Sequence, residues 1–312
     1  MRHMSSLSTP STPAMVVACL AIFLAGCAAS GGIPTPRPLP TRTDAPPAAE
    51  PTATPSEPLT EEFPYDSFAD PITIDNPWLP LAPGTQWTWE GQTVEDDEAV
   101  PHAVVMTVTD MVKVIDGVTT VVVLDQDFAD GQLVEAEIVF VAQDDAGNIW
   151  HLGQYPEEYE DGQFVDAPGW IAGREDALAG FWMTADPAPG KRSYSQGWGP
   201  AVDWTDRGRT IELGIEDCVA YGCFEDVLVI EEWALDEPLA RQLKFYARDV
   251  GNIRVDWSGD AGQEQETLEL VELRTLEGDE LAQVRRMALD LEARAYEIMS
   301  EIYGDTDPMQ ER

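Results

Sequence analysis

Residues 104–140 read VVMTVTDMVKVIDGVTTVVVLDQDFADGQLVEAEIVF, and this stretch decides the fold. Val104, Met106, Val108, Val112 and Val114 alternate with mostly polar neighbours, so they share one face of a long strand. Asp116-Gly117 then supplies the positive φ of a tight hairpin turn, and Val118 to Leu124 runs back. A second turn at Asp130-Gly131 leads into Val134, Ala136, Ile138 and Phe140 on one face, with Glu135 and Glu137 on the other.

The same punctuation continues outward. Ala146-Gly147-Asn148 precedes an apolar run from Ile149 to Leu152, and Asp161-Gly162 marks a fourth turn. Further strands are expected at Ile211 to Ile215, Val227 to Trp233, Leu243 to Ala247, Ile253 to Trp257 and Thr267 to Leu273. Sequential hairpins of this kind predict a mainly β domain: an antiparallel meander forming a curled sheet, an open barrel or a sandwich. No strand–helix–strand alternation and no glycine-rich nucleotide fingerprint supports a Rossmann-type fold.

Near the C-terminus the period changes. Leu281, Val284, Ala288, Leu291, Ala295, Ile298 and Ile302 recur at helical spacing, and Gly304 ends the pattern. One amphipathic helix over 277–304 is therefore expected, followed by a tail at 305–312. It can pack on the sheet or form a short coiled coil that makes the chain a dimer.

The N-terminal side is of another kind. Residues 1–26 contain no acid, and Ala14 to Ala25 form an apolar run too short to span a bilayer but suited to a signal peptide. Leu24-Ala25-Gly26-Cys27 follows at once and resembles the lipobox of bacterial lipoproteins. That resemblance implies cleavage after Gly26 and a diacylglycerol thioether on Cys27. Two acyl chains make a firm anchor where one is marginal. Residues 28–62 carry nine prolines and no aromatic residue, so 27–62 is expected to be a disordered Pro-rich linker, with the β domain at 63–276.

With 18 Lys+Arg against 58 Asp+Glu, the net charge of −40 excludes a nucleic-acid partner. Cys218 and Cys223 bracket Val219 to Gly222, and outside the cytoplasm they are expected to form a structural disulfide. A redox pair would stand closer together, and zinc would need further ligands nearby.

Chemistry is hard to locate. There is no HExxH, no G-x-S-x-G and no phosphate-binding loop, and Ser195 has Ser193 where the nucleophile elbow wants Gly. His102 and His151 sit in or beside strands without paired motifs. Asp125 to Ala136 departs from an EF-hand at its fifth, sixth and twelfth positions and reads better as a hairpin turn. Clustered acids leave weak calcium binding open. Trp87 and Trp89 share a strand face and are expected to be core. Thus no catalytic residue, metal ligand or cofactor beyond the lipid on Cys27 is assigned.

The segment Pro80-Leu81-Ala82-Pro83-Gly84-Thr85-Gln86-Trp87 resembles the Pro-Leu-x-Pro-Gly-x-x-Trp opening of an uncharacterised family of bacterial lipoproteins and exported β-rich proteins. Asp145 to Trp150, Tyr221 to Glu232 and Lys244 to Gly251 are similar to it as well. The resemblance covers residues 70–273 and implies a β-rich, exported domain without an established activity. The Cys218–Cys223 pair and the C-terminal helix depart from it.

These readings together predict a lipid-anchored protein on the extracytoplasmic face of a cell membrane. Its acidic β domain would bind an unidentified protein or small-molecule ligand. The alternatives are a carrier holding an apolar ligand or lipid in a cavity under the C-terminal helix, and a hydrolase of envelope material. Two converging carboxylates in a cleft would mark the hydrolase.

Overall fold

The structure, a computed structural model, describes residues 59–95, 98–259 and 264–312. Residues 1–26, read as a signal peptide, Cys27 and the expected linker as far as residue 58 lie outside the described residues. Fifteen strands follow in sequence: β1 (Thr85–Glu95), β2 (Glu98–Ile115), β3 (Val118–Ala129), β4 (Gln132–Gln143), β5 (Ile149–Glu160), β6 (Gln163–Asp166), β7 (Trp170–Ile171), β8 (Gly180–Met183), β9 (Tyr194–Ser195), β10 (Arg207–Val219), β11 (Gly222–Trp233), β12 (Arg241–Ala247), β13 (Gly251–Ser258), β14 (Glu264–Thr275) and, after the helices, β15 (Gln310–Glu311). The helices are α1 (Gly278–Ile298) and α2 (Ser300–Tyr303).

All fifteen strands belong to one antiparallel sheet, ordered β6-β5-β4-β3-β2-β1-β14-β13-β12-β11-β10-β9 with β7 and β8 pairing β5 and β15 pairing β2 off that path, and the sheet does not close into a barrel. The mainly β reading and its meander therefore hold, and of the architectures offered the curled open sheet is the one observed. The Asp-Gly turns do what their chemistry demands. Asp116, Asp130 and Asp161 have φ of 46°, 47° and 50°, and the glycines after them 82°, 75° and 72°. Both central residues at positive φ define the turn whose twist matches the flanking strands.

The central strands bury both faces, so two cores form. On one face Met111, Ile115, Val122, Ile138 and Phe140 pack with Ala288, Leu291 and Ala295 of α1. On the other, Trp87, Trp89, Met106, Val123, Val139 and Leu270 pack together. Val104 to Val114 keep to this second face, but its far end opens to water, leaving Val114 45% exposed. Val134 has no partner in the β3–β4 pairing. It is the extra residue of a register shift between β3 and β4, and Leu133 packs toward the first core instead.

The C-terminal helix packs on the sheet, against β2 to β5. It is interrupted at Met299, which has φ −105° and ψ 40°. Beyond the break the apolar stripe shifts: Ile298 is exposed, while Met299 and Tyr303 are buried. Under α1 lies Lys113 of β2, its side chain fully enclosed and 2.7 Å from Glu292. Its ammonium also donates to the Tyr296 hydroxyl and to the Asp307 carbonyl, so all three of its protons are used. The described side chains beneath α1 thus pack as core. A ligand cavity expected there finds its counterpart on the opposite face.

The stretch 76–84 that leads into β1 is anchored to the sheet. Trp78, Leu79 and Leu81 are buried, and Gly84 exchanges backbone hydrogen bonds with Val108 and Leu276. A Cβ on Gly84 would stand 2.4 Å from the Leu276 carbonyl oxygen, so this bend between β14 and β1 requires glycine. Residues 59–62, read as linker, also touch the domain. The Leu59 carbonyl accepts from Arg207, and Glu61 pairs with Arg192 at 2.5 Å.

Candidate functional site

The concave face of the sheet carries the chemistry. On β3, Asp125 stands directly opposite Glu137 of β4, and Asp127 opposite Glu135. Glu135 in turn faces Glu158 of β5. Like charges directly opposite each other destabilise a sheet, so this carboxylate ladder works against the fold that holds it.

The register shift explains how it arises. A two-residue turn at Asp130-Gly131 pairs Ala129 with Gln132 and Phe128 with Leu133. Continued without interruption, that register would oppose Asp125 to Ala136 and send the β3 and β4 acids to opposite faces. The extra Val134 moves the pairing by one residue and gathers the four carboxylates on one side.

The curl of the sheet then brings β12 across the cleft to β3. Lys244 of β12 and Asp125 line the same space. Lys244 pairs with Glu232 at 2.9 Å, and the Gln196 side chain donates to Glu232 at 2.7 Å. Trp89, Trp182, Trp204 and Tyr246 form aromatic walls. The two connected lobes measure about 190 and 160 Å³, room for a small ligand or an inserted side chain.

Electrostatics follow from the enclosure. Burial and the nearby Asp127 push the Asp125 carboxyl up to about 7. Burial together with neighbouring carboxylates also raises Glu135 and Glu137. Burial, then Glu232, lifts Asp206 to about 6. Burial alone would lower Lys244, but Glu232 and Tyr246 outweigh it and hold the ammonium charged.

Both histidines among the described residues stand at this face. His151 of β5 is buried, its Nδ1 is 3.1 Å from the Gln196 carbonyl oxygen, and its Nε2 has no protein partner. Burial lowers its pKa to about 4, so at neutral pH the ring is uncharged: Nδ1–H donates to Gln196 and Nε2 is an acceptor. Asn252 Oδ1 is a second buried acceptor without a protein partner. His102 of β2 sits between two acids, with Nε2 against Asp127 and Nδ1 3.3 Å from Glu266 of β14. Thr93 Oγ1 lies 2.8 Å from the same Nδ1.

The remaining sequence candidates fall elsewhere. Leu24, Ala25, Gly26 and Cys27 lie outside the described residues. Cys218 and Cys223 are bonded, as expected, at the tip of the β10–β11 hairpin, with Cα atoms 4.0 Å apart. The Asp125 to Ala136 segment is two strands and a tight turn, with no EF-hand loop. Ser195 is buried and donates to the Gly197 carbonyl. Trp87 and Trp89 are core: they stack at 6.4 Å and donate to the carbonyls of Val250 and Asn252. No helix among the described residues is long and apolar enough to cross a membrane.

Glu232 and Lys244 were not singled out by the sequence, and Asp125, Asp127, Glu135 and Glu137 entered its reading only as an EF-hand-like segment set aside for a turn and as one face of a strand. The one legible signal was an Asp-x-Asp and a Glu-x-Glu on either side of an Asp-Gly turn, and its meaning depended on the register.

No protein-family model matches the chain, and no curated protein matches it either. Among solved structures, the chain is similar to a Bacteroides fragilis NCTC 9343 protein with a YmcC-like fold, put forward as exported. The two are 13% identical with a TM-score of 0.38, over 64% of this chain and 99% of that one. It is also similar to a Parabacteroides distasonis ATCC 8503 protein put forward as a lipoprotein, at 12% identity and a TM-score of 0.33, over 65% of this chain and 99% of that one.

Proposed function

We propose that the protein is a lipoprotein anchored by Cys27 on the extracytoplasmic face of the membrane, and that its concave cleft binds a small cationic, amine-bearing ligand. The anchor rests on the acid-free leader and on Leu24 to Cys27. The ligand class rests on the donor–acceptor balance of the cleft. Asp125, Glu137, Asp206 and Glu232 present carboxylates, and the buried His151 Nε2 adds an unpartnered acceptor. Lys244 is the one cationic side chain among the residues lining it.

An ammonium group supplies the donors these acceptors lack, and the faces of Trp182 and Trp204 favour a cation. Carboxylates held protonated by mutual repulsion release protons when a cation arrives. Binding is therefore proton-linked and strengthens as pH rises. Titration calorimetry with spermidine as the probe should show affinity at least tenfold higher at pH 8 than at pH 5.5. Glu137→Gln and Trp182→Ala should each weaken it. Absence of binding by any di- or polyamine at pH 8 would remove this reading. For the anchor, Cys27→Ser should release the chain from membranes; a variant that still sediments with them and still labels with fatty acid would show the thioether to be absent.

A second reading draws on the raised pKa of Asp125. A carboxyl that titrates near neutrality beside Asp127 can serve as a general acid for hydrolysis of an envelope glycan or ester. Turnover lost in Asp125→Asn with ligand binding retained would select the hydrolase over the binding protein.

A further inference from the structure

At the β2–β3–β14 end of the concave face, three side chains of metal-ligating type come together from strands far apart in sequence. The donor atoms of His102, Asp127 and Glu266 lie within 4.8 Å of one another. We infer that these three residues hold a divalent transition-metal cation, of which zinc is the probe of choice.

Part of the geometry such an ion needs is in place: Glu266 stands at Nδ1, while Asp127 stands at Nε2 and swings off it to join an ion held at Nδ1. Bonds from zinc to imidazole nitrogen and carboxylate oxygen are about 2.0–2.2 Å, so two donors on one tetrahedral ion stand roughly 3.4 Å apart. His102 Nδ1 and Glu266 Oε1 are already 3.3 Å apart. Thr93 Oγ1 lies 2.8 Å from the same Nδ1, a contact that gives way when Nδ1 takes the ion.

Charge points the same way. One imidazole and two carboxylates carry a formal charge of −2 when the ring is neutral, which a divalent ion cancels. Glu135 faces Asp127 across the strands and adds negative potential to the site. An imidazole among the donors selects zinc, manganese or iron over calcium, which takes oxygen ligands. Asp127 and Glu266 also line the cleft. With three protein donors, the ion keeps a coordination position on the cleft side for water or for an anionic group of a ligand.

This site is distinct from the amine subsite around His151, Glu137 and Trp182, so the two can fail separately. The test is titration of zinc into the full chain after chelator treatment, with spermidine binding measured in parallel. Wild type should bind one zinc ion with a rise in melting temperature, and at least tenfold more tightly than calcium. His102→Ala, at a residue that does not line the cleft, should lose tenfold or more in zinc affinity while spermidine binding persists, which also shows that this variant folds; Glu266→Gln should lose zinc affinity likewise, with its melting transition as the check on folding. Nitrogen-15 NMR should show a shift of the His102 ring on zinc addition. Zinc binding of equal affinity in folded His102→Ala, or no zinc, manganese or iron binding in wild type, would overturn the site and leave His102 as an imidazolium clamped by two acids.

Discussion

Asp125 of β3 and Glu137 of β4 are directly opposed across the sheet, on a face that curls around them. Lys244 is the cation near both, but it is paired with Glu232 and offsets their repulsion only in part. The enclosure raises both carboxyls, Asp125 to about 7.

A raised acid binds more protons folded than unfolded between its ordinary value near 4 and its folded value. Stability must therefore fall as pH rises through that window. Asp125, Glu135, Glu137 and Asp206 all act in this direction. His151 acts oppositely, because its lowered pKa costs stability as pH falls from about 6.5 toward 4. The acids outnumber it. Melting temperature measured by calorimetry without added cation should fall between pH 5 and pH 8, and Asp125→Asn should flatten that slope and stabilise the protein at pH 8 by about 1 kcal/mol.

Lys113 and Glu292 join the sheet to α1 by a buried ion pair. Removing one partner leaves an uncompensated buried charge, which costs about 3–5 kcal/mol. Lys113→Met should therefore lower the urea midpoint sharply. Glu292 also accepts the Met309 backbone N–H, so the double variant Lys113→Met with Glu292→Gln keeps that bond and should recover much of the loss. Equal midpoints for the single and double variants would contradict the pairing.

The Cys218–Cys223 bridge closes a loop of only a few residues, so chain entropy gives it about 2 kcal/mol. Replacing both cysteines by serine should lower stability by that order in denaturant titrations. Because neither cysteine lines the cleft, ligand and metal affinities should not change.

Gly91 of β1 lies opposite His102, and a Cβ there would stand 1.9 Å from the Thr267 carbonyl oxygen of β14. A backbone atom cannot swing aside as a side chain can. Gly91→Ala should force β1 and β14 apart, at a cost of about 1–3 kcal/mol. Hydrogen exchange should accelerate across 265–275 while the Asp116-Gly117 hairpin keeps its protection.

Local chemistry was legible where one or two residues settle it. Asp-Gly turns need positive φ twice in succession, and the hairpins they closed are present. A stripe from Leu281 to Ala295 can be satisfied by one helix only, yet its end misled, because the break at Met299 exposed Ile298 and buried Tyr303. Long-range partners were not legible. His102 and Glu266 are separated by most of the domain in sequence, and nothing near either residue signals the other.

The sequence by itself determined the long strands, their Asp-Gly turns and the helix, because each depends on periodicity and backbone preference within a short window. The tertiary structure alone decided the cleft. One extra residue, Val134, reversed which face the β4 acids share with β3, and side-chain parity in a sheet changes with every single-residue shift in pairing. The curl of the sheet then carried Lys244 over to Asp125, an outcome of cumulative strand twist that no local stretch of residues encodes.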